Sequence, residues 1–150
     1  MNQEDNFQGI WDKSPFIAWI HNISKNQMKY LNSKIKDLNL GHEMRFIMGI
    51  YDNAGISQDD LVNMFGQSKA NIAKSLKKLE DQGYIQREIN PENRRKYMLR
   101  TTSKGNELVP KLRKISKDWE AEVVITDEDY EIKEIIKEIP IKVMKLTEDL

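Results

Sequence analysis

The sequence predicts a mainly α-helical fold with one small β-hairpin, and three observations carry that prediction. Apolar residues recur at helical spacing along most of the 150 residues. Two short helical patterns near the middle are joined by a glycine-containing turn, the form of a helix-turn-helix. A single pair of strand-like runs, YIQREI and YMLRTT, flanks a turn at NPEN.

The elements follow in order. SPFIAWIHNISKNQMKYLNSKIKDL reads as a long helix, with Ser14 as N-cap and Pro15 at the first helical position. Ile20, Ile23, Leu31, Ile35 and Leu38 form its apolar stripe. Met44, Ile47, Met48 and Tyr51 mark a second helix, which DNAG stops. Ser57 and Asp60 resemble a capping box, opening a short helix with Leu61, Met64 and Phe65 on its apolar side and Gly66 at its end. Ser68 opens the next helix, whose buried stripe is Ile72, Leu76 and Leu79 and whose end is Gly83. After the hairpin, Leu108, Leu112, Ile115 and Trp119 return to helical register, with a kink expected at Pro110. A last helix, capped by Thr126 and Asp129, carries Ile132, Ile135, Ile136 and Ile139, and Pro140 is expected to kink or interrupt it.

Composition narrows the function. The chain has no cysteine, which excludes a disulfide framework, a thiolate zinc site and a thiol redox switch. Its longest apolar runs fall far short of the roughly 20 residues that cross a bilayer, and MNQEDNFQGIWDKSP lacks a signal-peptide pattern. A cytoplasmic protein with no membrane partner is expected. Net charge is zero but uneven. Residues 68 to 104 hold ten Lys and Arg against four Asp and Glu, and residues 126 to 150 hold four against eight. That pattern suggests one surface that attracts a polyanion and arms that do not.

Two features give the basic segment its chemistry. With Ile72 at zero on a wheel of about 100° per residue, Leu76 and Leu79 lie close to it. Asn71, Lys74 and Lys78 fall on the far side. Asn pairs bidentately with adenine, and Lys donates to guanine or phosphate. Ser68 and Lys69 add free backbone N–H groups at the helix start. The second feature is the hairpin tip, where Arg94, Arg95 and Lys96 are consecutive with only Glu92 close in sequence. Three adjacent cations contribute nothing to the fold, but they suit a phosphate backbone or a minor groove. A tip charged only to block edge pairing is the alternative.

The run SQDDLVNMFGQSKANIAKSLKKLEDQGYIQREINPENRRKYMLRTTSKG resembles the winged helix-turn-helix core of MarR-type transcriptional regulators. LKKLEDQGYIQRE and NPENRRKYMLRTTSKG carry the likeness, and the flanking helices extend it over nearly the whole chain. The resemblance implies one MarR-like domain over 1–150. Within it, 41–102 would be the DNA-binding unit, and 14–38 and 103–150 would be helices that interlock two chains into a dimer. The apolar stripes of those helices, larger than the small central unit can cover, independently predict a homodimer. The resemblance makes the helix from Ser68 the recognition helix and 90–96 the wing, and adds Ser57 and Gln58 to the DNA-binding set. Arg95 matches the family's minor-groove arginine. Asn93 stands where an aspartate usually orients that arginine, so Arg94 and Arg95 remain alternatives for insertion.

Catalytic and metal sites are not expected, nor is a cofactor. His21 and His42 lie on different elements, and no glycine-rich phosphate loop follows a strand. The expected function is a repressor that binds a pseudo-palindromic double-stranded DNA operator and is released by a small effector. The family's usual effectors are small aromatic acids, and Trp19, His21 and Tyr30 are candidate pocket residues. The rival readings are a winged-helix protein-interaction module and a binder of RNA or single strands. The latter calls for exposed aromatics, and the wing offers only Tyr97, which strand alternation is expected to bury.

Overall fold

A computed structural model describes residues 13–94, 96–123 and 129–147. The elements are α1 (Phe16–Lys34), a 3₁₀ turn (Lys36–Leu38), α2 (Met44–Asp52), α3 (Gln58–Phe65) and α4 (Lys69–Asp81). There follow β1 (Ile85–Ile89), β2 (Tyr97–Thr101), α5 (Ser103–Glu122) and α6 (Tyr130–Thr147). The fold is mainly helical with one two-stranded antiparallel hairpin, as the sequence predicts. Residues 1–116 and 117–150 form separate compact units, so the division falls inside α5.

The core of the first unit is continuous. Phe46, Ile47 and Ile50 of α2, Leu61 of α3 and Ile72, Leu76 and Leu79 of α4 have no exposed surface. Ile85, Leu99, Val109 and Leu112 close over them from the hairpin and α5. Phe46 and Phe65 meet edge to face with centroids 4.9 Å apart.

Local chemistry explains the boundaries. The box at α3 is reciprocal: Asp60 N–H donates to Ser57 Oγ at 3.2 Å, and Ser57 N–H donates to Asp60 Oδ2 at 3.0 Å. Gly66 ends α3 at φ 59° and Gly83 follows α4 at φ 74°, conformations that favour glycine. β1 and β2 pair Ile85 with Thr101 through Ile89 with Tyr97. The loop before α3 adds a rung, because Gly55 N–H donates to the Leu99 carbonyl and Leu99 N–H to the Ile56 carbonyl, each at 2.9 Å.

Several expectations need correction. Pro15, not Ser14, occupies the N-cap of α1, with extended backbone at ψ 149° and its carbonyl accepting from Ala18 N–H at 2.8 Å. Leu31 and Ile35 are buried, but Ile20 and Ile23 of the same stripe are exposed. Pro140 does not interrupt its helix, and α5 runs continuously through Pro110, where a kink is expected. Within its own unit, α6 leaves Ile132, Ile135 and Ile136 more than half exposed. Thr126 lies outside the described residues.

Candidate nucleic-acid interface

Helix α4 presents the expected face. Ser68 Oγ accepts from Asn71 N–H at 3.3 Å, which fixes the helix start. Opposite the buried stripe, Ala70, Asn71, Lys74 and Lys77 are exposed. Lys78 behaves differently, since its Nζ lies 3.0 Å from Glu43 Oε1 and its side chain is only 35% exposed. Glu43 is buried, and its Oε2 accepts from Gly41 N–H at 2.8 Å. Burial alone would raise the Glu43 carboxyl. Hydrogen bonds from its own backbone, Lys78 and Gly41, with a smaller contribution from His42, outweigh that and hold it below its ordinary range. Lys78 therefore ties α4 to the segment before α2.

Between the α3 start and the hairpin lies a cleft of about 150 Å³, lined by Ser57, Gln58, Asp59, Lys69, Arg87, Lys96, Tyr97 and Leu99. Lys69 Nζ sits 2.8 Å from Asp59 Oδ1. That hydrogen bond and charge, aided by Lys96, lower the Asp59 carboxyl. Asp60 is lowered chiefly by the Ser57 hydroxyl and N–H. Tyr97 is 52% exposed, not buried. It does share the inward face with Leu99, but the core ends at Leu99, and its partner Ile89 is exposed as well.

The tip is built from successive turns. Asn90 N–H donates to the Lys96 carbonyl at 3.0 Å, and Asn90 Oδ1 accepts from Glu92 N–H at 2.9 Å. Lys96 N–H donates to the Asn93 carbonyl at 2.8 Å. Asn93, Arg94 and Lys96 are exposed. Arg95 lies outside the described residues.

Tertiary contacts sort the nine described cations of residues 68–104. Lys69, Lys77, Lys78, Arg87 and Arg100 pair with Asp59, Asp81, Glu43, Glu80 and Glu88. Lys104 donates to the Gln82 carbonyl at 2.7 Å and covers the Tyr84 ring. Lys74, Arg94 and Lys96 have no ion pair among the described residues. The described cations of the expected DNA-binding set thus divide into Lys74, Arg94 and Lys96, which have no ion pair, and Lys69 and Lys78, which pair with Asp59 and Glu43.

Sequence reasoning missed a second cleft, on the other flank of α4. It encloses about 510 Å³ and is lined by His42, Glu43, Arg45, Gln67, Asn71, Lys74, Ser75 and Lys78. His42 Nε2 lies 3.3 Å from Ser75 Oγ. The Arg45 guanidinium lies 5.1 Å from the Phe46 ring centroid and 5.4 Å from that of Phe65. The available signal was one cation inside the apolar run MRFIMGI.

The three candidate effector residues lie along α1. At about 100° and 1.5 Å per residue, Trp19 and Tyr30 share a side some 16 Å apart, and His21 points to the opposite side. Trp19 packs edge-on against Phe16 at 6.2 Å, and Tyr30 lies under Lys34. The helix does not bring all three together within one chain.

No described helix is long and apolar enough to cross a membrane. Among the described residues, no cluster of His, Cys, Asp or Glu could hold a metal ion.

Comparison with known proteins agrees with this architecture. The chain is 30% identical over 121 residues to the HTH-type transcriptional regulator BilQ of Clostridioides difficile (strain CD3), covering 80% of this chain and 82% of that protein. It is 33% identical over 115 residues to the uncharacterized HTH-type transcriptional regulator YybA of Bacillus subtilis (strain 168), covering 76% of each. A crystal structure of MarR superposes with a TM-score of 0.82 at 26% identity, covering 92% of this chain and 97% of that one. Residues 36–96, which hold the helix-turn-helix and most of the wing, match the MarR family. The chain belongs to the MarR family of winged helix-turn-helix transcriptional regulators.

Proposed function

We propose that the protein binds a pseudo-palindromic double-stranded DNA operator as a homodimer and represses transcription until a small aromatic acid releases it. One observation carries the DNA reading. Among the described residues of the basic segment, the cations outside ion pairs and backbone contacts are Lys74 on the groove-facing side of α4 and Arg94 and Lys96 on the wing. Lys69, Lys77, Lys78, Arg87 and Arg100 each have a carboxylate within the fold, whereas these three cations face solvent without one among the described residues. Asn71 beside Lys74 supplies the base-reading amide, and Arg94 with Lys96 meets phosphate and the minor groove. Ser57 and Gln58 at the α3 start, with the backbone N–H groups at Ser68 and Lys69, address the phosphates alongside.

The dimer reading rests on two apolar faces. Phe16, Ile17 and Ile23 of α1 are more than half exposed in the chain, as are Ile132, Ile135, Ile136, Val143 and Leu146 on one side of α6. Faces of that size are covered in stable proteins, and 14–38 with 103–150 are the segments proposed to cover one another between two chains.

The test combines sedimentation with gel shift on DNA from upstream of the protein's own gene. Twice the chain mass at micromolar protein and a single retarded species are expected, with release on adding a small aromatic acid. A monomer that still binds that DNA specifically refutes the dimer. Absence of any sequence preference refutes operator binding.

A further inference from the structure

A helix with its side chains is about 10–12 Å across, and the major groove is about 12 Å wide. A helix lying in that groove therefore has a phosphodiester strand against each flank. The two flanks of α4 are separable on the wheel. Lys69, at about 60° from Ile72, belongs to the cleft shared with α3 and the wing. Asn71, Ser75 and Lys78, at about 240° to 300°, belong to the cleft shared with α2. Of the DNA-binding residues considered so far, Asn71, Lys74 and Lys78 line this second cleft, but Asn71 is assigned to a base edge and Lys78 is engaged by Glu43, which leaves Lys74 alone among them for phosphates of the second strand.

We infer that the cleft between α2 and α4 seats phosphates of the second strand, with Arg45 as its principal ligand and His42 beside it. This deepens the DNA-binding reading above and rests on it. Four observations point to an anion there. The lining charges are Arg45, Lys74 and Lys78 against Glu43 alone, three against one, with Glu43 neutralised by Lys78 at 3.0 Å. Arg45 has no carboxylate partner among the described residues. Its guanidinium is held by two aromatic rings, so little side-chain freedom is left to lose on binding. Finally, Arg45 Nε is a buried donor with no acceptor among the described residues. Buried polar atoms of that kind call for a partner. A phosphodiester offers two charged acceptor oxygens that match the guanidinium fork.

The experiment uses the full-length protein and a duplex enriched by it from a random-sequence pool. Phosphate ethylation interference is read on both strands with wild-type protein, then with Arg45→Met, which keeps the apolar stem against Phe46 and Phe65. Wild-type protein is expected to show blocked phosphates on both strands bordering each recognition-helix groove. Arg45→Met should lose those of one strand and keep those of the other. Its slope of log affinity against log salt should be shallower by about two per dimer. The wild-type advantage should then shrink about twelvefold between 50 and 200 mM salt. Interference confined to one strand in the wild type overturns the inference without involving any variant. A second-strand pattern that survives Arg45→Met overturns the role of Arg45. If the wild-type protein enriches no duplex at all, operator binding itself fails, and this inference with it.

Discussion

Gly105→Ala should destabilise the protein although it places a better helix former in a helix. Gly105 is buried in the first turn of α5, where the chain returns from the hairpin. A Cβ there would stand 2.2 Å from the Tyr84 carbonyl oxygen and 3.2 Å from Thr101 Cβ. Ordinary carbon-to-oxygen contacts begin near 3.3 Å, so the backbone at Tyr84 or at the α5 start must move by about 1 Å. That backbone is anchored. Tyr84 carbonyl accepts from Thr102 N–H at 3.1 Å, Thr102 Oγ1 donates to the Gly83 carbonyl at 2.7 Å, and Tyr84 itself is core. Propensity favours alanine by about 1 kcal/mol. Overpacking against fixed backbone costs about 3 kcal/mol, at the upper end of its usual range. The net expectation is a loss of about 2 kcal/mol, read by urea unfolding at fixed protomer concentration, because the proposed dimer would couple stability to concentration. Gly66→Ala provides the contrast: nothing lies within 4 Å of its Cβ, so only the left-handed backbone at φ 59° opposes it, at about 1 kcal/mol. Stability of Gly105→Ala equal to or above wild type would refute the close approach of α5 to the hairpin base.

Three further outcomes are expected. Lys74→Ala should leave unfolding free energy within about 0.5 kcal/mol of wild type and flatten the salt dependence of DNA binding, whereas Lys78→Met should cost about 2 kcal/mol by stranding Glu43. That cost is below the 3–5 of a fully buried pair because Lys78 is partly exposed; equal stability of the two variants would contradict the assignment. Asn71→Ala should lose about 1–3 kcal/mol on an enriched duplex and relax one position per half-site, while Arg94→Ala should weaken specific and non-specific binding together, as measured by competition titration. Glu43 has a folded-state carboxyl lowered from its ordinary 4.5, so its contribution is complete above that value and is lost as pH falls through the lower folded one; Glu43→Gln should therefore reduce the slope of stability against pH below about 4.5, and an unchanged slope in denaturant titrations would remove Glu43 from the acid response.

The sequence alone determined the element order, because each element is set by interactions only a few residues apart. Ser57 and Asp60 cap α3, Gly66 and Gly83 supply the left-handed turns, and Ile72, Leu76 and Leu79 fall at the helical period that puts them in the core. The family resemblance and the cationic character of residues 68–104 were legible for the same reason. Tertiary structure decided how far burial extends and which charges are available. Ile20 and Tyr97 have the right period but lie beyond the edge of the core within one chain, and period says nothing about where a core ends. Lys78 and Lys74 fall within about 40° of each other on the same wheel, yet Glu43, 35 residues earlier, reaches only Lys78. Arg45 gained its two rings from Phe46 beside it and from Phe65, on a different helix. A charge's role depends on its nearest opposite charge in space, and in this fold that neighbour often lies on a different element.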